Sequence, residues 1–193
     1  MGLGGSASFS GSGSLVESEV FPRVYGTYDH GFLLPIDHSS IWLRTAAGKS
    51  WGDRTNVFSN FFFGGFGNNW VDYQDVHRYR EYYSFPGLDL NEAGGNDFAK
   101  TTIEWTLPAV RFRRAGVPSF YANWSRLSMF SSALVTDIGT PSVRRDLYSI
   151  GAQIDLSLVI FTSLDSMLSF GYATAFENGN GSDEVMVSLK LLR

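Results

Sequence analysis

The 193-residue sequence contains no cysteine, only three lysines and no long apolar run. The absence of cysteine excludes disulfides, thiolate metal sites and cysteine nucleophiles. The longest apolar stretches, such as residues 158–161, are far shorter than the ~18 residues that a spanning helix needs, which excludes a helical membrane protein. Charged residues make up 18% of the chain and the formal net charge is −4, so we expect no nucleic-acid partner.

Aromatic residues (16%) and glycines (21) are abundant instead, which argues against a disordered or coiled-coil chain. From residue 20 onward, apolar and polar residues alternate with a period of two, and this pattern predicts strands. Several predicted strands are long and joined by short turns, as in an up-and-down sheet. The eight candidates are residues 20–34, 40–51, 56–65, 99–113, 118–134, 145–162, 166–177 and 183–192.

The candidate strand over 147–160 has one apolar face and one polar face. Every second residue from Tyr148 to Ile160 is apolar, and the residues between them include Gln153 and Asp155. In a membrane barrel the apolar face contacts lipid, whereas in a soluble lipocalin-like barrel that binds an apolar small molecule it faces the interior. Aromatic clusters near predicted strand ends and the scarcity of lysine favour the first orientation. The lipocalin-like fold is the alternative.

We therefore predict an all-β fold: an antiparallel up-and-down transmembrane β-barrel or half-barrel with about eight long strands. Residues 1–19, rich in Gly and Ser, are expected to be a flexible lead, and residues 20–193 to form the barrel. The connection 66–98 is too long for a passive turn and is expected to be functional, either inward-folded or extracellular. No signal peptide is recognisable at residues 1–14, so we expect an export signal upstream.

Short motifs around this connection occur in an order that resembles the C-terminal barrel region of the bacterial surface antigen family. They are Phe63-Gly64-Gly65, Ser84-Phe85-Pro86-Gly87, Gly94-Gly95-Asn96, and Glu104 with Pro108. That family comprises outer-membrane assembly and two-partner secretion barrels, and related barrels anchor periplasmic domains such as TolB-like propellers. The resemblance implies that residues 20–193 are the C-terminal half of a larger barrel. It also implies a non-catalytic membrane anchor, or a polypeptide translocation or assembly pore, in the Gram-negative outer membrane. Its partners would be outer-membrane lipid and either a translocated polypeptide or an upstream periplasmic domain of the same polypeptide.

The resemblance also implies that the loop folds into the lumen and that an arginine near its tip contacts the inner wall. By position this residue is Arg80 or Arg78, with Asp155 or Glu104 as its partner; the alternative is that both arginines meet headgroups or water at the rim. The chain departs from the family pattern at positions that include the loop tip and residue 132. Tyr79-Arg80-Glu81-Tyr82 replaces the usual Val/Ile-Arg-Gly-Phe/Tyr tip, and Ser132 stands where many members have Asp.

Nothing in the sequence predicts catalysis, a metal or a cofactor. The three histidines, His30, His38 and His77, lack metal-ligand spacing and are expected at turns or the rim. A Gly-x-Ser-x-Gly elbow and a P-loop are both missing. Because an eight-stranded barrel has a narrow interior, we expect either an open sheet with unpaired edges at 20–34 and 183–192, or a closed barrel with the loop outside.

Overall fold

The computed structural model describes residues 2–16, 19–67, 77–161 and 163–191. These residues form eleven strands and two short 3₁₀ turns, Val57–Ser59 and Arg78–Arg80. The strands are β1 (Gly2–Val16), β2 (Glu19–Leu33), β3 (Ser40–Ser50), β4 (Phe61–Phe63), β5 (Ala93–Gly95), β6 (Asp97–Thr106), β7 (Val110–Val117), β8 (Phe120–Thr136), β9 (Arg145–Ile160), β10 (Leu164–Glu177) and β11 (Asn180–Leu191).

Nine of these strands make one antiparallel sheet in the order β1-β2-β3-β6-β8-β9-β10-β11, with β7 paired to β8. Strand β8 pairs with β6 along its C-terminal half and with β7 along its N-terminal half, so β6 and β7 lie end to end as one ribbon. The sheet therefore has eight ribbons in chain order, three before the long connection and five after it. The predicted all-β, up-and-down fold is confirmed.

The predicted single strand over 99–113 is interrupted at residues 107–109. Pro108 has no backbone N–H to donate to a sheet, so the ladder stops there. Leu107 still donates its backbone N–H to the Leu127 carbonyl at 3.0 Å, which keeps β6 and β7 aligned on β8.

Two other boundaries differ from the sequence prediction. Where a flexible lead was expected over residues 1–19, residues 2–16 form β1 and pair antiparallel with β2 along their length, so small Gly and Ser residues are held by backbone pairing. The expected strand over 56–65 contracts to β4, because Asn56 accepts a hydrogen bond from the Phe58 N–H and starts a 3₁₀ turn. Strand β4 pairs with β5 in a separate two-stranded sheet and takes no place in the large one.

The connection between β3 and β6 covers one face of the large sheet. We call residues 61–67 and 77–96 the inner loop, the face it covers the inner face, and the opposite face the outer face. Along β9, Ile150 and Ile154 are exposed on the outer face (59% and 43%), whereas Gln153 and Asp155 are buried on the inner face (0% and 1%). The alternation of exposed and buried side chains ends near Leu158, which is buried although it is one of the alternate apolar residues.

The inner face carries a mixed core. One apolar cluster joins the inner loop to β6, β8, β9 and β10, and contains Phe61, Phe63, Phe85, Leu88, Phe98, Leu134 and Leu147. A second contains Phe66, Tyr79, Phe130, Ala173 and Met186. Within the described ranges, no helix has the length and hydropathy needed to cross a membrane.

The large sheet is open. Its edges are β1 and β11, and no described strand pairs with the free side of either. The predicted edge over 183–192 therefore corresponds to an actual edge strand, but the one predicted over 20–34 does not, because β1 covers β2. The inner loop lies against the open sheet rather than outside a closed barrel.

Candidate functional site

The inner loop is held together by backbone hydrogen bonds among the residues that carry the family resemblance. Gly65 forms an antiparallel bridge with Phe85. The Phe85 N–H donates to the Gly65 carbonyl at 3.1 Å, and the Ser84 hydroxyl donates to the same carbonyl at 2.7 Å. The Gly64 N–H donates to the Tyr83 carbonyl at 3.2 Å. The two motifs, far apart in sequence, thus form one folded unit in which Phe63, Ser84 and Phe85 are fully buried.

Arg80 joins this unit to the inner face at Glu104, near the C-terminal end of β6. The guanidinium donates through Nε to Glu104 Oε2 at 2.9 Å and through Nη2 to Oε1 at 2.5 Å. Such a two-point contact fixes the orientation as well as the distance of the pair. The Glu104 side chain has no solvent exposure and that of Arg80 is 27% exposed. Of the two partners suggested by the sequence, the structure brings Glu104 to Arg80.

Three further side chains surround the Glu104 carboxylate. The hydroxyls of Tyr79 and Thr106 both donate to Oε1 at 3.1 Å. Arg44 of β3 places its Nε 3.4 Å from Oε2 and its Nη1 2.6 Å from Asp29 of β2. A continuous polar network therefore connects the first hairpin, β6 and the inner loop across the inner face.

Tyr79 combines this polar contact with apolar packing. Its ring stacks on Phe130 of β8 with centroids 4.4 Å apart. Burial, and secondly the negative charge of Glu104, raise the pKa of the Tyr79 hydroxyl well above its ordinary value. Tyr79 is therefore held as a neutral hydrogen-bond donor at physiological pH.

Asp155, the other suggested arginine partner, receives a histidine. His77 Nε2 lies 2.6 Å from Asp155 Oδ2, while Gln153 and Ser169 each donate to Oδ1 at 2.7 Å. The His77 side chain is 11% exposed, so the prediction of an exposed turn or rim position for it is wrong. His77 directly precedes the 3₁₀ turn Arg78–Arg80 and contacts β9, whereas Arg80, at the end of the turn, contacts β6.

Arg78 contacts its own loop, since its Nη2 donates to the Tyr83 hydroxyl at 3.1 Å. His77 thus connects the 3₁₀ turn to β9, and Arg80 connects it to β6. Arg78 forms a hydrogen bond within the loop.

Glu184 of β11 holds the other side of the inner loop. Its carboxylate accepts the backbone N–H groups of Phe66 at 3.0 Å and Gly87 at 2.9 Å. The neighbouring Pro86 carbonyl accepts the Ser149 hydroxyl of β9 at 2.5 Å. At Gly87 the backbone has φ +99° and comes so near the Ala175 backbone nitrogen that a Cβ would collide with it. This close approach explains why glycine follows proline at this position.

Lys100 of β6 secures the middle of the loop. Its side chain is buried, and its ammonium group donates to the Glu81 carbonyl at 2.9 Å, to the Tyr82 carbonyl at 3.3 Å and to the Ser84 carbonyl. Three carbonyl acceptors match the three N–H bonds of an ammonium group.

Tyr82 of the inner loop stacks on Tyr25 of β2, with ring centroids 4.5 Å apart. Burial raises the pKa of the Tyr82 hydroxyl.

A polar cavity of about 360 Å³ remains between the loop and the first strands, bordered by Asp29, Arg44, Arg80, Glu81 and Lys100 among others. Its charged groups come from both the sheet and the loop. Within the described ranges, no three His, Asp or Glu side chains converge as a metal site requires. The arrangement attaches the inner loop to the sheet by ion pairs and hydrogen bonds.

Sequence reasoning missed the roles of Lys100, His77 and Glu184. The sequence did hold one indication for Lys100. The chain has only three lysines, and a lysine on the inward-facing side of β6 needs hydrogen-bond acceptors. Glu184 occupies an ordinary position after the Asn178-Gly179 turn, and only the tertiary structure brings it to the loop. Comparisons with protein-family models, curated proteins and solved structures found no match to this chain.

Proposed function

We propose that this chain is an outer-membrane β-barrel segment of a Gram-negative bacterium and acts as a non-catalytic membrane anchor. The observation that carries the proposal is the polarity of the sheet. Apolar side chains such as Ile103, Tyr172 and Val185 are exposed on the outer face, while Lys100, Glu104 and Asp155 are buried on the inner face. A lipid-facing exterior around a polar, side-chain-filled interior is the pattern of transmembrane barrels.

The extent of the apolar outer face supports the same proposal. Exposed large apolar side chains occur along most of the sheet and include Phe32 (β2), Ile103 (β6), Met129 (β8), Ile154 (β9), Phe170 (β10) and Val187 (β11). Soluble monomers rarely expose contiguous apolar areas larger than a few hundred Å². Contact with acyl chains would remove this surface from water.

The attachment of the inner loop to the sheet favours a membrane anchor over a pore. Glu104, Asp155 and Glu184 hold the loop to three different strands, β6, β9 and β11, across the space that a passing polypeptide would need. Passage of a polypeptide is the second candidate function, because the loop belongs to the separate β4–β5 sheet and could leave without breaking the large sheet. Such passage requires release of the Arg80–Glu104 pair.

The resemblance to the surface antigen family is consistent with both functions and suggests an upstream periplasmic domain or a translocated polypeptide as partner. A soluble lipocalin-like protein is disfavoured, since it needs Ile150 and Ile154 in its interior and Gln153 and Asp155 in water, the reverse of their burial.

Spontaneous folding into lipid tests the proposal. The urea-unfolded chain is diluted into phosphatidylethanolamine–phosphatidylglycerol vesicles or into plain buffer, followed by flotation and by gel mobility with and without heating. We expect folded, heat-modifiable protein that floats with the vesicles, and aggregation in plain buffer. A folded, monodisperse chain in plain buffer that does not bind vesicles would contradict the proposal.

A further inference from the structure

The two edges of the large sheet are long and free. Strand β1 has 15 residues and β11 has 12, and within the described ranges the outer side of each lacks a partner strand. An edge of this length presents a row of N–H and C=O groups that template further pairing. In a bilayer these groups must be paired, because lipid offers no hydrogen bonds. This requirement rests on the proposed membrane location.

We propose that a second copy of this chain closes the sheet. The β1 strand of one protomer pairs with β11 of its partner, and β11 of the first pairs with β1 of the partner. The product is a two-fold symmetric barrel of sixteen ribbons, eight from each copy. Both interfaces are identical, so no edge is left.

The direction of the edge strands fits this pairing. Each ribbon is antiparallel to its neighbour, and β1 and β11 are the first and the eighth ribbon of the sheet. An even number of ribbons makes the two edges run in opposite directions. Two copies placed side by side with the same orientation therefore meet as an antiparallel pair, which continues the pattern of the whole sheet.

The contents of the interior argue against closure of one chain on itself. An eight-stranded barrel is just wide enough for its own side chains. Here the inner loop adds large buried groups of its own, among them Phe63, Phe66, Tyr79 and Phe85, between the sheet and the axis. Joining two sheets widens the interior enough to hold two such loops.

Cysteine cross-linking tests the proposal without background, because the chain has no cysteine. Gly11→Cys marks the β1 edge: Gly11 is exposed, and an added Cβ meets only the Arg23 carbonyl oxygen at 3.9 Å. Val185→Cys, and in separate variants Ser182→Cys and Val187→Cys, mark β11 at three heights, which covers the unknown register between copies. Each β11 variant is mixed with the Gly11→Cys variant, refolded into vesicles and treated with a short bis-maleimide.

We expect a covalent dimer from at least one mixture, and mass measurement in detergent should give two chains per particle. Gly11→Cys alone should give none, since β1 faces β11 rather than another β1. A chain carrying both cysteines that cross-links only within itself would overturn the inference, as would a monomeric mass without cross-links in all three mixtures. If the protein floats with vesicles yet fails these tests, the second copy is excluded while the membrane anchor stands; absence of flotation refutes the anchor itself.

Discussion

Arg80, in the inner loop, binds Glu104, near the C-terminal end of β6, through two hydrogen bonds of 2.9 and 2.5 Å. The carboxylate is fully buried, and the loop supplies both the guanidinium and the Tyr79 hydroxyl that satisfy it. This pair therefore couples the position of a long loop to the integrity of the sheet.

Replacing Arg80 by Ala should destabilise the fold strongly. It leaves the buried Glu104 carboxylate with the longer Arg44 ion pair and the Tyr79 and Thr106 hydroxyls, so we expect the free energy of unfolding to fall by about 3 kcal/mol. Urea titration of the vesicle-folded protein measures this change. Arg144→Ala is the matched control, because the Arg144–Asp146 pair is exposed and should contribute less than about 1 kcal/mol. Equal losses of unfolding free energy for the two substitutions would show that the buried Arg80–Glu104 pair does not stabilise the fold.

Glu184→Ala should loosen the loop at β11. The Phe66 and Gly87 N–H groups lose their acceptor, and each buried unsatisfied donor costs about 1–3 kcal/mol. We expect faster proteolytic cleavage within residues 77–96, measured by mass spectrometry of the fragments. Ser182→Ala, at an exposed position on the same strand, should leave the cleavage rate unchanged. An unaltered rate for Glu184→Ala would show that the loop does not depend on β11.

Gly87→Ala should be poorly tolerated. The residue has φ +99° and its added Cβ would strike the Ala175 backbone, so we expect a loss of at least about 2 kcal/mol of stability. Gly179→Ala is the control, since it has φ +85° but nothing within 4 Å, and conformational strain alone should cost about 1 kcal/mol. The difference between the two variants in urea midpoint isolates the contact between the loop and β10.

Alkaline pH should release the loop through Tyr79. Because the pKa of Tyr79 in the folded protein is raised above its ordinary value of 10.0, its contribution to stability is complete below pH 10 and declines as the pH rises above it. Tyr79→Phe removes the ionisable group and should flatten the decline of unfolding free energy above pH 10. Parallel declines in the two proteins would mean that Tyr79 titrates freely and is not buried.

The sequence predicted the class of the fold because period-two alternation survives in long strands whatever their neighbours are. It could not predict β1, since alternating Gly and Ser residues are typical of linkers, and only pairing with β2 gives them a strand conformation. It also placed residues 56–65 in the large sheet. A local signal was present there, as Asn56 caps a turn, but the exclusion of β4 from the sheet depends on β5, more than 30 residues later.

The candidate site was predictable where one side chain demands a partner. An arginine inside a barrel needs a carboxylate partner, and this need together with the family resemblance suggested Arg80 or Arg78 paired with Asp155 or Glu104. The pairing of Asp155 with His77 rather than an arginine was not predictable, because the 3₁₀ turn that separates His77 from Arg80 has no distinctive sequence.

The polarity of β9 is the central claim, and Ile154→Lys tests it most directly. Ile154 is 43% exposed, so in water a lysine there should change stability by less than about 0.5 kcal/mol. In a bilayer, a lysine on the lipid-facing side should cost about 2–4 kcal/mol near the midplane. Phe161→Lys, in the exposed turn between β9 and β10, is the control and should be nearly neutral in either environment. We expect vesicle-folded Ile154→Lys to be less stable than Phe161→Lys by at least about 2 kcal/mol; equal stabilities of the two variants would contradict a lipid-facing Ile154.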